Sequence, residues 1–88
     1  TGGFGIAISN SVATLNSTDA TNSGAAGLWV VMGAVATVNN SRFCNNGGGN
    51  QYEKDISCAS ATINGSGNDA STFYTPECNL SGFGYSGC

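Results

Sequence analysis

The sequence predicts an all-β fold, a small parallel β-solenoid of about three coils, and three observations predict it. First, a strand-like phrase recurs: Ala13-Thr14-Leu15-Asn16-Ser17-Thr18, Ala36-Thr37-Val38-Asn39-Asn40-Ser41 and Ala61-Thr62-Ile63-Asn64-Gly65-Ser66. The copies share A-T-[L/V/I]-N-x-[S/T] at offsets of 23 and 25 residues. Self-similarity at such a period marks a repeat architecture, in which each unit stacks on the next. Second, an apolar segment precedes each copy (residues 4–8, 28–31 and, more weakly, 55–58), and a turn-forming tract follows each (19–24, 45–50 and 66–70). Third, no window sustains an apolar period of 3.6, and Gly and Asn interrupt every candidate helix. An antiparallel β-sandwich is the alternative home for short strands and frequent turns. It gives no reason for one strand sequence to return.

The coils are expected at about 3–25, 26–50 and 51–70 of a single domain spanning 1–88, each with two short strands. Along a strand, neighbouring side chains face opposite sides. Leu15, Val38 and Ile63 are therefore expected as one inward column, with Ala13, Ala36 and Ala61 inward near a tight corner. Thr14, Thr37 and Thr62 would form an outward column, and Asn16, Asn39 and Asn64 another. Residues 71–88 lack the phrase and hold the only proline, Pro76, with two of the cysteines. They are expected as a disulfide-containing cap or joint. Gly82-Phe83-Gly84-Tyr85-Ser86 is similar to Gly3-Phe4-Gly5-Ile6-Ala7, so a fourth coil is expected to begin there.

Composition narrows the function. At 88 residues the chain has room for one small core, and a chain of this size buries only about 60% of its unfolded surface. Gly, Ser, Asn and Thr make up half of it, and charged residues only 8%. Two basic residues, Arg42 and Lys54, cannot build a phosphate-tracking patch, which argues against nucleic acid as a partner. The longest apolar run, 28–38, is 11 residues with a glycine inside. A spanning helix needs about 20, so no membrane insertion is expected. The four cysteines, Cys44, Cys58, Cys78 and Cys88, form an even set in a short polar chain, which reads as two disulfides and an oxidising, extracellular compartment. Closeness in sequence favours Cys44–Cys58 with Cys78–Cys88, though three pairings are open. With no histidine and no C-x2-C pair, no metal site is expected. The chain starts at Thr1, and the simplest expectation is a mature or excised piece of a secreted precursor.

The period, the recurring strand and the Asn-rich turns resemble the repeats of right-handed parallel β-helix proteins of the pectate-lyase-like type. Arg42-Phe43-Cys44-Asn45-Asn46-Gly47-Gly48 is similar to turn elements of bacterial surface passenger domains. The resemblance covers roughly residues 3–68 and implies an extracellular β-helix.

Four N-x-[S/T] sequons stand at Asn16, Asn39, Asn64 and Asn79, three at the same repeat position, and are the candidate N-glycan sites. The competing structural reading is a ladder of stacked asparagine amides. Among the acids Asp19, Glu53, Asp55, Asp69 and Glu77, only Glu53 and Asp55 are close enough to suggest paired carboxylates. Lys54 between them makes the tract read as a solvated loop. No histidine means no Ser-His-Asp or Cys-His set, and Gly47-Gly48-Gly49 lacks what a phosphate loop requires. Trp29, Tyr52, Phe73, Tyr74 and Tyr85 read as core or end-cap residues, or as a sugar-stacking surface. The sequence therefore points to a structural glycoprotein of the cell surface, neither an enzyme nor cofactor-dependent. It would be a unit of a filament, appendage or coat that stacks on copies of itself. An adhesin or glycan-binding module is the alternative, and a non-catalytic fragment of a carbohydrate-active β-helix enzyme a further one.

Overall fold

The computed structural model describes residues 5–47 and 51–88. The fold is all-β, and every strand pairing among these residues is parallel, not antiparallel as a sandwich would require. The chain makes four passes. The first holds β1 (Ile6–Ser9), β2 (Val12–Asn16) and β3 (Asp19–Thr21). The second holds β4 (Leu28–Val31), β5 (Val35–Asn39) and β6 (Arg42–Cys44). The third holds β7 (Ile56–Ala59) and a long β8 (Thr62–Ala70), which bends to pair with both β5 and β6. The fourth holds β9 (Phe73–Tyr74) and β10 (Asn79–Ser86). One sheet runs β1-β4-β7-β9 and the other β2-β5-β8-β6-β3, with β10 also on β8.

Two features of the strand layout differ from the sequence reading, apart from the register of the third copy. Residues 19–24 and 66–70, expected as turns, contribute β3 and the last part of β8, so the first two passes have a third strand. The fourth pass begins at Phe73, not at Gly82. The 82–86 stretch lies part-way round, on Asn64–Asp69, and its supposed counterpart at Gly3 and Phe4 lies outside the described residues.

The corners explain how a chain this short turns so often. Asn10, Met32, Ser60 and Glu77 all have positive φ, between 50° and 57°. Each follows a strand or turn of the first sheet, one per pass. Ser17, Asn40 and Gly67 repeat this at the next corner, and Asn22 and Asn45 at a third. A left-handed residue costs roughly 1–2 kcal/mol unless it is Gly, Asn or Asp. Asn10, Asn22, Asn40, Asn45 and Gly67 adopt the conformation readily, whereas at Ser17, Met32, Ser60 and Glu77 the corner geometry overrides local propensity.

Inward columns form the core. Leu28 and Ile56 stack, as do Val30 and Cys58, and all are essentially fully buried. Phe43 is completely buried between Ala20 and Ala70, a large residue between two small ones, which fills the interior without strain.

The third copy of the recurring phrase sits two residues out of the expected register. Ala13 pairs with Ala36 and Leu15 with Val38, as expected. Ala36, however, pairs with Ile63, and Thr37 with Asn64. The columns are thus Ala13–Ala36–Ile63 and Thr14–Thr37–Asn64, while Thr62 stands beside Val35. A two-residue slip keeps every side chain on its own face. Ile63 therefore remains inward and fully buried. Gly65 then stands against Val38, where a Cβ would lie 1.8 Å from the Val38 carbonyl oxygen, at φ +113°. Only glycine fits there, and Phe83 of the fourth pass, paired with Gly65, covers the space it leaves.

Candidate functional site

Polar side chains bond across the passes in three tracks. The first contains the sequons. Asn39 Nδ2 donates to Asn16 Oδ1 at 3.2 Å, and Asn39 Oδ1 accepts the Ser66 backbone N–H at 3.2 Å. The asparagine ladder therefore joins Asn16 and Asn39 and ends on Ser66, because the slip moves Asn64 into the threonine column. Asn39 uses both ends of its amide. A Cβ placed on Gly82 would lie 2.8 Å from Asn64 Oδ1, so Asn64 is packed against the next pass. Asn79 is different. It is exposed, and its Oδ1 accepts only from its own sequon, from Ser81 N at 3.0 Å and Ser81 Oγ at 2.8 Å. Asn45 Nδ2 repeats the ladder at a corner, donating to Asn22 Oδ1.

The second track runs through the interior corner. Ser41 Oγ accepts the Thr18 N–H, Ser41 N–H donates to Asn68 Oδ1, and Asn68 Nδ2 donates to the Val38 and Gly84 carbonyls at 2.9 and 3.1 Å. Asn68 is 1% exposed. All four passes are joined through these residues.

The third track centres on Asp55. The sequence placed it in a solvated loop with Glu53; the structure buries it. Its Oδ1 accepts Asn46 N and Nδ2 at 3.0 and 3.2 Å, and its Oδ2 accepts Ser71 N and Thr72 N, both at 3.1 Å. Asn46 in turn takes the Ser23 N–H and donates to the Ala20 carbonyl. A carboxylate that accepts four N–H groups, two on each oxygen, is a structural hub. The signal available in the sequence was the Asp beside the apolar Ile56-Ser57-Cys58, which places it at a strand entry. Among the described residues, no three of His, Cys, Asp and Glu converge in a way that could hold a metal ion.

The cysteines form two disulfides, Cys44–Cys88 and Cys58–Cys78, with Cα separations of 5.9 and 5.6 Å. The sequence-neighbour pairing is therefore overturned. Stacking brings together residues far apart in the chain, and both bridges fasten the fourth pass to earlier ones. Two disulfides fit an oxidising compartment, and no helix among the described residues is long and apolar enough to cross a membrane.

The aromatics divide into two groups. Trp29 and Tyr74 lie in the outward column Ala7–Trp29–Ser57–Tyr74, and Tyr52 meets Tyr74 edge-on at 5.0 Å. Phe73, Phe83 and Tyr85 gather at the fourth pass, with ring centroids 4.8 Å (Phe73–Tyr85) and 5.6 Å (Phe83–Tyr85) apart. The charged residues Asp19, Arg42 and Asp69 stand in register on three neighbouring strands. No family model, curated protein or solved structure matches this chain.

Proposed function

We propose that this chain is a short parallel β-solenoid serving as a non-catalytic structural glycoprotein of an extracellular surface, a building unit that associates with copies of itself. One observation carries the reading: the polar chemistry is spent on cohesion. Asp55, Asn68, Asn46 and Ser41 each bond to the backbone of another pass. No buried side-chain nitrogen or oxygen among the described residues is left over. This stack commits these groups to holding passes together. Light scattering on the oxidised chain over a range of concentrations tests the reading, with self-association expected. A monomer at every concentration that binds oligosaccharides would instead favour an adhesin or glycan-binding module. That second reading draws on the outward Trp29–Tyr74 column with Tyr52 beside it.

The sequons divide by geometry. A glycan replaces one of the two Nδ2 hydrogens and needs open space beside it; at Asn39 it would have to fit against the bond to Asn16, and Asn64 is packed on Gly82. Asn79, bonded only within its sequon, accommodates a glycan without loss. Peptide mapping of material secreted from a eukaryotic host is expected to show hexose increments on the Asn79 peptide and none on those of Asn39 and Asn64. Modified Asn39 with bare Asn79 would reverse the assignment.

A further inference from the structure

The chain has three tyrosines, Tyr52, Tyr74 and Tyr85, and the fold brings two of them together. Tyr74 stands on β9 in the outward column Ala7–Trp29–Ser57–Tyr74, on the outer face of the first sheet. Ser57 is its neighbour one rung away, and Ser57 Oγ donates to the Tyr52 carbonyl. That bond pins the backbone of residue 52 over the sheet beside Tyr74. The two rings consequently meet edge to face, with centroids 5.0 Å apart and planes at 90°. Tyr52 is 53% exposed and Tyr74 half-buried, so the pair is open to solvent on the side of the stack.

Aromatic rings pack edge to face without any need of hydroxyls. Two phenols held this close have a chemistry that a phenylalanine pair lacks. A one-electron oxidant takes an electron and the hydroxyl proton from each. The two phenoxyl radicals then join carbon to carbon at positions beside the hydroxyls, and the hydrogens on those carbons move to the oxygens and restore both phenols. Two hydrogens leave in all, and one hydrogen peroxide becomes two waters. Coupling between separate molecules requires two scarce radicals to meet, and rings already in contact escape that cost. Tyr85 supplies the contrast. It is 52% exposed, yet its ring neighbours are Phe73 and Phe83, which carry no hydroxyl to oxidise.

We infer that Tyr52 and Tyr74 are an oxidative cross-linking site, where a one-electron oxidant of the haem peroxidase class, using hydrogen peroxide, joins them as dityrosine. Residue 52 precedes β7 and residue 74 ends β9, so the new bond ties the entry of the third pass to the fourth. It parallels Cys58–Cys78, which links the same two passes. As a carbon–carbon bond it withstands the thiols that open a disulfide.

The test treats the full disulfide-bonded chain, in dilute solution, with a haem peroxidase and hydrogen peroxide. A single chain lighter by two hydrogens is expected, with dityrosine fluorescence and a cross-linked peptide that contains residues 52 and 74. Tyr52→Phe and Tyr74→Phe keep both rings in place, and each is expected to lower the fluorescence by roughly tenfold or more. Tyr85→Phe is expected to leave it unchanged. After both disulfides are reduced, the cross-linked chain is expected to unfold at a higher urea concentration than the untreated one. Cross-links found only between chains, or fluorescence that survives Tyr52→Phe or falls with Tyr85→Phe, would overturn the site. Equal urea midpoints would overturn its part in fastening the fourth pass.

Discussion

Replacing Asp55 with alanine is expected to destabilise the chain by about 4 kcal/mol, a large part of the 5–15 kcal/mol that holds a small domain folded. The carboxylate is 2% exposed and accepts four N–H groups, two from Asn46 and one each from Ser71 and Thr72. Asn46 closes the second pass, and Ser71 and Thr72 open the fourth. Alanine leaves these donors in a water-poor corner with nothing to accept them, and each buried unmet donor costs about 1–3 kcal/mol. The surrounding backbone bonds, from Leu28 N–H to the Asp55 carbonyl and from Asp55 N–H to Thr72 Oγ1, would hold part of the corner. Asp55→Asn keeps one acceptor oxygen and turns an NH2 group toward two other N–H groups, so about half the loss is expected. Urea titration gives both values. A shift below about 1 kcal/mol for Asp55→Ala would mean that the hub is dispensable, contrary to the cost of unmet buried donors.

How much of this was legible in the sequence depends on which chemistry carried the signal. Strand positions were legible where β-branched and aliphatic residues alternate: 35–39 and 28–31 stand where the pattern put them. The first two rungs were legible too, because Ala13-Thr14-Leu15 and Ala36-Thr37-Val38 match residue for residue. The third rung was ambiguous for a definite reason. Alanine occurs at both 34 and 36, so Ala61 can be matched to either without changing which face anything occupies. The corner decides: three residues separate β4 from β5, but only Ser60 and Ala61 separate β7 from β8. Ala61 thereby takes the place of Ala34, the Thr62 N–H bonding to the Ala34 carbonyl. The short strands β3 and β6 were hidden because Asp-Ala-Thr and Arg-Phe-Cys are stabilised by stacking, not by their own propensity. Of the candidate sites, the Asn16–Asn39 rung was visible from spacing. Asn68 was not, and Asp55 was marked only by its place at a strand entry, since a buried polar residue looks like a loop residue until its partners from other passes are known.

Removing the disulfides is expected to have the largest effect, and to act on one end of the molecule first. Chain-entropy estimates give about 3 kcal/mol for a loop of the Cys58–Cys78 span and about 4 kcal/mol for that of Cys44–Cys88. The spans are 20 and 44 residues. The shorter lies within the longer, so the two contributions add incompletely. Even so, their loss approaches the whole stability of a domain this size. Cys58–Cys78 ties the fourth pass to the third, and Cys44–Cys88 ties its end to the second, across Ser71. Without them this pass depends on a two-residue β9 and on β10, whose register on β8 is interrupted twice. Reduction should therefore release residues 79–86 before the rest and expose Phe83, Ile63 and Gly65 beneath. Hydrogen exchange is expected to quicken at β10 amides at reductant levels where β4 and β5 amides remain protected. Equal acceleration across all strands would mean that the stack unfolds as one unit and that the bridges clip no separable pass. Non-reducing peptide maps of the starting material supply the control, since the Cys44 peptide must carry the C-terminal Cys88 for this order of events to hold.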